Sequence, residues 1–361
     1  MKGLKIIGTG AALPRKRVHN DDLARLTDTS DSWIYPRTGI HERRFCEKDE
    51  SALTLAIEAG RQALQRAALS PEDIDAVVIA SMSPDFATPA MACLTAAALE
   101  LRSGIPALDI NAACSGFVYG LEVARGLLDG TGGRYALLVG TEQLSRLLDI
   151  QDRSTAVLFG DGAGAVVLKA DASDTEDNVF GSKKSDYLTI LGSCGDTAIL
   201  APAVYTGAFD GFYADGTEDP EKPTGNAAGE KHRKVDHLLM EGKDVFLFAI
   251  DIIPKCVAEI LEKTGLSLSD IDHVVCHQAN SRIIRNVVRH LKARPGQFFE
   301  NMERLGNTSG ASIPLALAEM EEKGMLQKGQ RLLLVGFGGG LTWGASLITY
   351  AGTAGENGGE K

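Results

Sequence analysis

Leu69-Ser-Pro-Glu-Asp-Ile-Asp-Ala-Val-Val78 returns 197 residues later as Leu266-Ser-Leu-Ser-Asp-Ile-Asp-His-Val-Val275, with seven of ten positions identical. Each copy follows an amphipathic helical pattern and runs into an apolar, strand-like stretch. Leu137-Leu-Val-Gly140 recurs as Leu333-Leu-Val-Gly336 at an offset of 196. Chance could produce one such match; two at nearly one offset point to duplication. A helix–strand half that occurs twice predicts two similar α/β halves packed face to face. The first half is expected over residues 1–170 and the second over 171–351.

The texture changes between the two copies. Residues 201–236 are rich in Gly, Pro, Asp, Thr and Glu and hold no sustained period, so they read as an insertion in the second half. Residues 352–361 read as a flexible, Gly-rich tail. At 361 residues the chain can bury one large core or two domain-sized ones. A hydrophobic content of 44% and a mean hydropathy of -0.03 fit a soluble globular protein. No apolar run approaches the ~18 residues of a membrane helix, and the apolar core after Met1 is too short for a signal peptide. Neither a membrane nor a secreted location is expected. The six cysteines (46, 93, 114, 194, 256, 276) contain no Cys-x-x-Cys pair. That argues against a zinc site or a disulfide framework and for reduced thiols in the cytoplasm. A net charge of -11 argues against nucleic acid as a partner and leaves room for a local basic patch.

Chemistry enters at Ala107-Leu-Asp-Ile-Asn-Ala-Ala-Cys-Ser-Gly-Phe117. Ala107 to Ile110 reads as a buried strand. From Phe117 the apolar residues fall at helical spacing, at 117, 121, 124 and 128. Cys114 therefore sits on the tight turn between strand and helix. Free N–H groups and partial positive charge gather at a helix N-terminus, which lowers a thiol's pKa and suits a nucleophile. Gly8-Thr-Gly lacks the third glycine of a dinucleotide loop and runs into Pro14, so no nucleotide cofactor is expected there. Gly338-Gly-Gly340 follows the apolar stretch Arg331 to Val335. Glycines at a strand end leave backbone N–H groups bare, which suits an oxyanion hole. His277 closes His273-Val-Val-Cys-His277, and Asn307 lies in Gly306-Asn-Thr-Ser-Gly310. A cysteine, a neutral histidine and an asparagine make a nucleophile and a pair of hydrogen-bond donors.

Ala113-Cys-Ser-Gly-Phe117, His277-Gln-Ala-Asn280, Gly306-Asn-Thr-Ser309 and Gly338-Gly-Gly340 together resemble β-ketoacyl-acyl-carrier-protein synthase III in order and spacing. The likeness runs from Gly8 to Tyr350 apart from the insertion. It implies a thiolase fold, a duplicated α/β architecture of five layers, α/β/α/β/α. It implies a homodimer that starts type II fatty-acid synthesis, using acyl-CoA as substrate and no cofactor or metal. In that family the cysteine takes the acyl group, here Cys114. His277 and Asn307 would then stabilise the enolate formed by decarboxylation of malonyl-acyl-carrier protein. The backbone N–H groups of Cys114 and Gly339 would form the oxyanion hole, and Phe337 would line the tunnel.

The primer site carries over in the same way. Trp33 and Arg153 match the pair that sandwiches adenine, and Thr29 and Arg37 match nucleotide contacts. Gly242-Lys-Asp-Val-Phe246 keeps the family's Phe246 at the pantetheine but has Lys243 where the family often has Asn. Thr88 takes the place of a bulky Phe found in acetyl-preferring members, in a segment that closes the partner's acyl pocket. Primers longer than acetyl are expected. Arg282, Arg285, Arg289 and Lys292 form one stripe at helical spacing, and the family uses a basic residue at the position of Arg282 to dock acyl-carrier protein. The competing readings are an acyl transferase or specialised polyketide condensing enzyme of the same fold, a biosynthetic thiolase, and a nucleotide-dependent oxidoreductase or binding module. A thiolase needs a second catalytic cysteine near the last Gly-rich loop, and none follows Cys276.

Overall fold

The computed structural model describes residues 3–171, 186–202 and 235–352. Nearly all of the expected insertion and tail lies outside the described residues.

Among the described residues nine strands form the main hydrogen-bonded sheet system: β1 (Leu4–Ala12), β2 (Ala76–Ala80), β3 (Ala107–Ile110), β4 (Tyr135–Glu142), β5 (Gly162–Ala170), β6 (Leu188–Ser193), β7 (His273–Cys276), β8 (Arg331–Gly338) and β9 (Thr342–Tyr350). The first five run β3-β2-β4-β5-β1. β2 is parallel to β3 and β4, while β5 is antiparallel to β4 and β1. The second set repeats this order. β7 is parallel to β8 and to a bridge at Phe298, and β9 is antiparallel to β8 and β6. The two sets meet where Lys5 and Ile6 pair with Thr349 and Tyr350. The repeated peptide thus marks a repeated topology.

Helices complete five layers. α1 (Ala52–Ala67) and α2 (Met91–Ala98) cover one outer face, and α4 (Gly242–Thr264) and α5 (Ser281–Leu291) the other. α3 (Gly116–Thr131) and α6 (Ser312–Glu322) lie between the sheets. Alternation within the strands assigns the layers. Val77 and Ile79 pack with α1, whereas Ala76 and Val78 pack with Phe117 and Leu121 of α3. Val274 and Leu333 pack with Ile253 of α4 and Val287 of α5, whereas Val275 and Leu334 join Leu317 of α6 in the middle. Strands buried on both faces read as continuous apolar runs, which is why β2 is Ala-Val-Val-Ile-Ala with every residue buried.

The middle helices carry the site. Each begins after a tight turn, Ala113–Ser115 before α3 and Ser309–Ala311 before α6. Both turns open on a residue in the left-handed region, Ala113 at φ 45 and Ser309 at φ 46. Such backbone costs on the order of 1 kcal/mol or more for a non-glycine residue and persists only where packing imposes it.

Candidate active site

Cys114 lies in the first turn with 7% of its surface exposed. β8 of the other half presses against it. A Cβ on Gly338 would come within 2.7 Å of Cys114 Cβ and 3.0 Å of its Sγ, so only glycine fits there. The strand runs through Gly338, so the turn begins one residue later than the three glycines suggest. The thiol receives the backbone N–H groups of Cys114 and Gly339. Thr342 fixes that arrangement: its hydroxyl donates to Ala112 O (3.0 Å) and Gly339 O (2.9 Å), and it accepts from Ser115 Oγ at 2.7 Å.

The expectation of a lowered thiol pKa is corrected by this packing. Burial pushes the Cys114 thiol up to about 12, and the nearby Glu142 carboxyl adds to the rise. The Ser309 hydroxyl and the two backbone N–H groups oppose it without reversing it. Desolvation of a fully buried sulfur outweighs the helix terminus.

His277 follows β7 and is 1% exposed. Its Nδ1 is bonded to Ser312 Oγ at 2.7 Å, and the residue lines the cavity described below. The ring meets Phe337 edge-on, with centroids 5.2 Å apart. Burial drives its pKa down to about 3, opposed in part by the Ser309 backbone carbonyl, so the ring is neutral at physiological pH. Asn307 is held by its backbone between Leu158 O (2.8 Å) and Gly160 N (2.9 Å). Its Oδ1 accepts the Ser309 N–H at 2.9 Å, so the Nδ2 group is the end that can donate to a ligand.

Cys114, His277, Asn307, Phe246, Phe337 and Gly338 line one cavity of about 330 Å³. Ile199, Leu238 and Met240 also line it; these flank the expected insertion on two short paired strands, Ile199–Leu200 and Leu239–Met240. Lys243, Asn280 and Arg282 stand on the same wall. Arg282 lies over the Phe246 ring at 5.9 Å.

Trp33 sits on the helix Asp31–Thr38, whose Ser30 caps it by accepting the Trp33 N–H at 3.2 Å. Arg37 and Arg153 both stack on the indole, at 4.7 and 5.0 Å from its centroid. A base entering between Trp33 and Arg153 would have to part them. Among the described residues the Arg153 guanidinium is held besides Trp33 by exposed Asp28, at 3.1 Å to the carbonyl and 3.4 Å to the carboxylate. The Thr29 hydroxyl is buried and, among the described residues, has no hydrogen-bond partner. Asn280 caps α5 and bonds the Arg37 carbonyl at 3.0 Å, joining this helix to the cavity wall. Along α5, Arg282, Arg285 and Arg289 are exposed while Ile283, Ile284 and Val287 are buried, as the spacing predicts. Thr88 is exposed and lies outside this chain's own cavity.

Sequence reasoning missed Ser312, Thr342, Ser309 and Glu142. The last had a signal: a lone charge closing the apolar strand Tyr135–Glu142.

Family models agree with these landmarks. The "3-Oxoacyl-[acyl-carrier-protein (ACP)] synthase III" model matches residues 108–186, and its "C terminal" counterpart matches 261–350. A "Beta-ketoacyl-[acyl-carrier-protein] synthase III" of Clostridium perfringens is 42% identical over 348 residues, covering 96% of this chain and 99% of the relative. The crystal structure of the 3-oxoacyl-[acyl-carrier-protein] synthase III of Aquifex aeolicus superposes with a TM-score of 0.80 at 36% identity, covering 96% of this chain and all of that one (100%). The priming β-ketosynthase of the R1128 polyketide pathway superposes at 0.79 with 30% identity, covering 97% of each chain. With near-complete coverage at such identity, the chain belongs to the β-ketoacyl-acyl-carrier-protein synthase III family.

Proposed function

We propose that the protein joins an acyl-CoA primer to malonyl-acyl-carrier protein by decarboxylating condensation, the initiating step of type II fatty-acid synthesis. The observation that carries this reading is the convergence of Cys114, His277 and Asn307 on one apolar-walled cavity, with two backbone N–H groups at the thiol. Residues 1–170 would supply the nucleophile and 171–351 the donors. The Cys114 sulfur attacks the primer thioester, and CoA leaves. Malonyl thioester then enters, and its oxygen meets His277 Nε2–H and Asn307 Nδ2–H. Loss of CO₂ puts enolate charge on that oxygen. Donors already in place lower this barrier, because they bind the enolate better than the thioester. A neutral His277 suits this role, since its proton is held and not released. The carbanion attacks the acyl-enzyme, and the new oxyanion falls to the N–H groups of Cys114 and Gly339.

Thr29, Trp33, Arg37 and Arg153 are proposed to hold the CoA nucleotide, a role supported by the stacked indole and the unpartnered Thr29 hydroxyl. Arg282, Arg285 and Arg289 are proposed to dock the acidic carrier protein beside the cavity mouth. A homodimer in the cytoplasm is proposed as well. Its support is that β3 is a sheet-edge strand, a natural surface for pairing with a second copy. The exposed segment 83–90, with Phe86 half exposed at 50%, would then place Thr88 at the partner's acyl pocket. Among the described residues no helix is long and apolar enough to cross a membrane.

The test is intact mass after mixing with a panel of acyl-CoAs. Wild type should gain one acyl group, and Cys114→Ser none, because a serine hydroxyl is far less acidic than a thiol. Acylation of Cys114→Ser at the wild-type rate would refute the assignment. The likeness to a priming polyketide synthase favours a second reading, a specialised condensing enzyme. The acyl-CoA preferred in that panel separates the two.

A further inference from the structure

One buried carboxyl in the site takes no part in the chemistry above. Glu142 is fully buried at the end of β4, beneath both turns. Donors reach it from two elements. From the segment after β2 come the Ser81 hydroxyl (3.3 Å), the Met82 N–H (3.2 Å) and the Ser83 hydroxyl. From the second turn comes the Gly310 N–H at 3.4 Å. Two of these hydroxyls have a fixed polarity. Ser81 Oγ accepts the Ser83 N–H at 3.1 Å, and Ser83 Oγ accepts the Gln143 N–H at 2.9 Å. Each therefore spends its own hydrogen on Glu142.

The Ser309 hydroxyl is different. It donates to Met82 Sδ at 3.5 Å, a weak acceptor, and stands close enough to both the Glu142 carboxyl and the Cys114 thiol to lower the pKa of each. Among the described residues no backbone N–H is bonded to its oxygen. Rotation away from the thioether therefore breaks one weak bond and lets the hydroxyl accept on one side while donating on the other. The titratable groups around Glu142 are Cys114, reached through Ser309, and His277, which contacts the Ser309 backbone carbonyl and lines the same cavity as Cys114.

We propose that Ser309 and Glu142 form a proton relay for Cys114, separate from the His277–Asn307 pair. The proposal rests on the acyl-transfer reading given above. During acylation Cys114 passes its thiol proton to Ser309 Oγ, and Ser309 passes its own to the Glu142 carboxylate. The sulfur bonds to the acyl carbon, the carbon–sulfur bond to CoA breaks, and the CoA thiolate takes a proton from water. During condensation the carbanion displaces the Cys114 thiolate, and the proton returns from Glu142 through Ser309 to sulfur. One solvent proton is consumed per cycle, as loss of CO₂ from a malonyl carboxylate requires. Burial holds the Glu142 pKa up at about 7, so the group can take and return a proton near neutrality. His277 is a poor alternative, with its Nδ1 engaged by Ser312 and its pKa pushed down to about 3.

The test is the rate of acyl-enzyme formation, followed by rapid quench and intact mass with acyl-CoA from pH 5 to 9. In wild type the rate should rise as pH passes through about 7, since only the carboxylate accepts a proton. Glu142→Gln keeps the shape of the side chain and removes its titration. It should slow acylation roughly 100-fold at pH 8 and abolish the inflection. Ser309→Ala should do the same while leaving Glu142 in place. Primer-free decarboxylation of malonyl-acyl-carrier protein should suffer much less in either variant. An unchanged rate and pH profile in Glu142→Gln would overturn the relay. Equal loss of both half-reactions, with a lowered melting temperature, would overturn it too, by reducing Glu142 to a structural strut. Wild type that accepts no acyl group at any pH would instead refute the acyl-transfer reading.

Discussion

The turns Ala113–Ser115 and Ser309–Ala311 are the same backbone device used twice, and they hold different chemistry. Each opens on a left-handed residue, leads into a middle-layer helix, and is met by a strand from the other half. The approach is close enough to exclude side chains. A Cβ on Gly140 would lie 2.3 Å from Gly310 O, and one on Gly336 would lie 2.8 Å from Ser115 Cα. The side chains then diverge. The first turn carries Cys114 where the second carries Gly310. The strand meeting the second turn ends in Glu142, and the strand meeting the first ends in Gly338. Duplication supplied a rigid frame, and the two copies were free to specialise. One presents Cys114, the proposed nucleophile, while the other presents Asn307 and, just beyond its own strand β7, His277.

The comparison breaks most sharply if the donors are removed. His277→Ala and Asn307→Ala should each cost about 3 kcal/mol of transition-state stabilisation in decarboxylation, as lost oxyanion-type donors do, while still forming acyl-enzyme. Separate assays of the two half-reactions check this. Loss of acylation with decarboxylation kept would mean the halves have exchanged roles.

The shared frame is tested by Gly140→Ala and Gly336→Ala. Both should destabilise by roughly 1–3 kcal/mol, because a methyl group must push backbone aside. Gly336→Ala should also slow acylation, since it displaces the residue after Cys114. Chemical denaturation and the mass assay measure the two effects. Tolerance of both changes would mean that the halves do not interlock as tightly as they stand here.

The donor side should also differ from the nucleophile side in its response to acid. His277 has a lowered pKa, so it remains neutral as pH falls through 6.5 and gains a proton only toward about 3. Decarboxylation by pre-acylated enzyme should therefore stay flat between pH 8 and 5. A drop centred near 6.5 would show that His277 titrates as an ordinary histidine.

The smallest effect is at the rim of the second half. Arg282→Glu should weaken use of malonyl-acyl-carrier protein a few-fold and spare acyl-CoA. The deficit should shrink as salt rises, because exposed charges are screened over about 8–10 Å. Salt-independent loss with both substrates would point to damage within the cavity, whose wall Arg282 shares.

Local signals in the chain carried far. Strand, turn and helix around Cys114 are adjacent in sequence, so their order was readable from apolar spacing alone. The repeated peptide announced the repeated topology because each copy closes a helix–strand unit of its own half. The stripe on Ser281–Leu291 was readable because a helix converts spacing directly into a face. Family resemblance then supplied partners for Cys114 that periodicity by itself left open.

What tertiary structure decided is whatever depends on the other half. The thiol's pKa is one case: its own helix terminus pulls down, but burial beneath a strand more than 200 residues away pushes up further. Glu142 is another, since its bond to Gly310 spans 168 residues. In sequence it is a single acid at the end of an apolar run. Only the packed interface removes its water, surrounds it with hydroxyls and sets it beside a thiol. Desolvation is a property of the assembled surroundings and not of the residue, so no local pattern could have disclosed it.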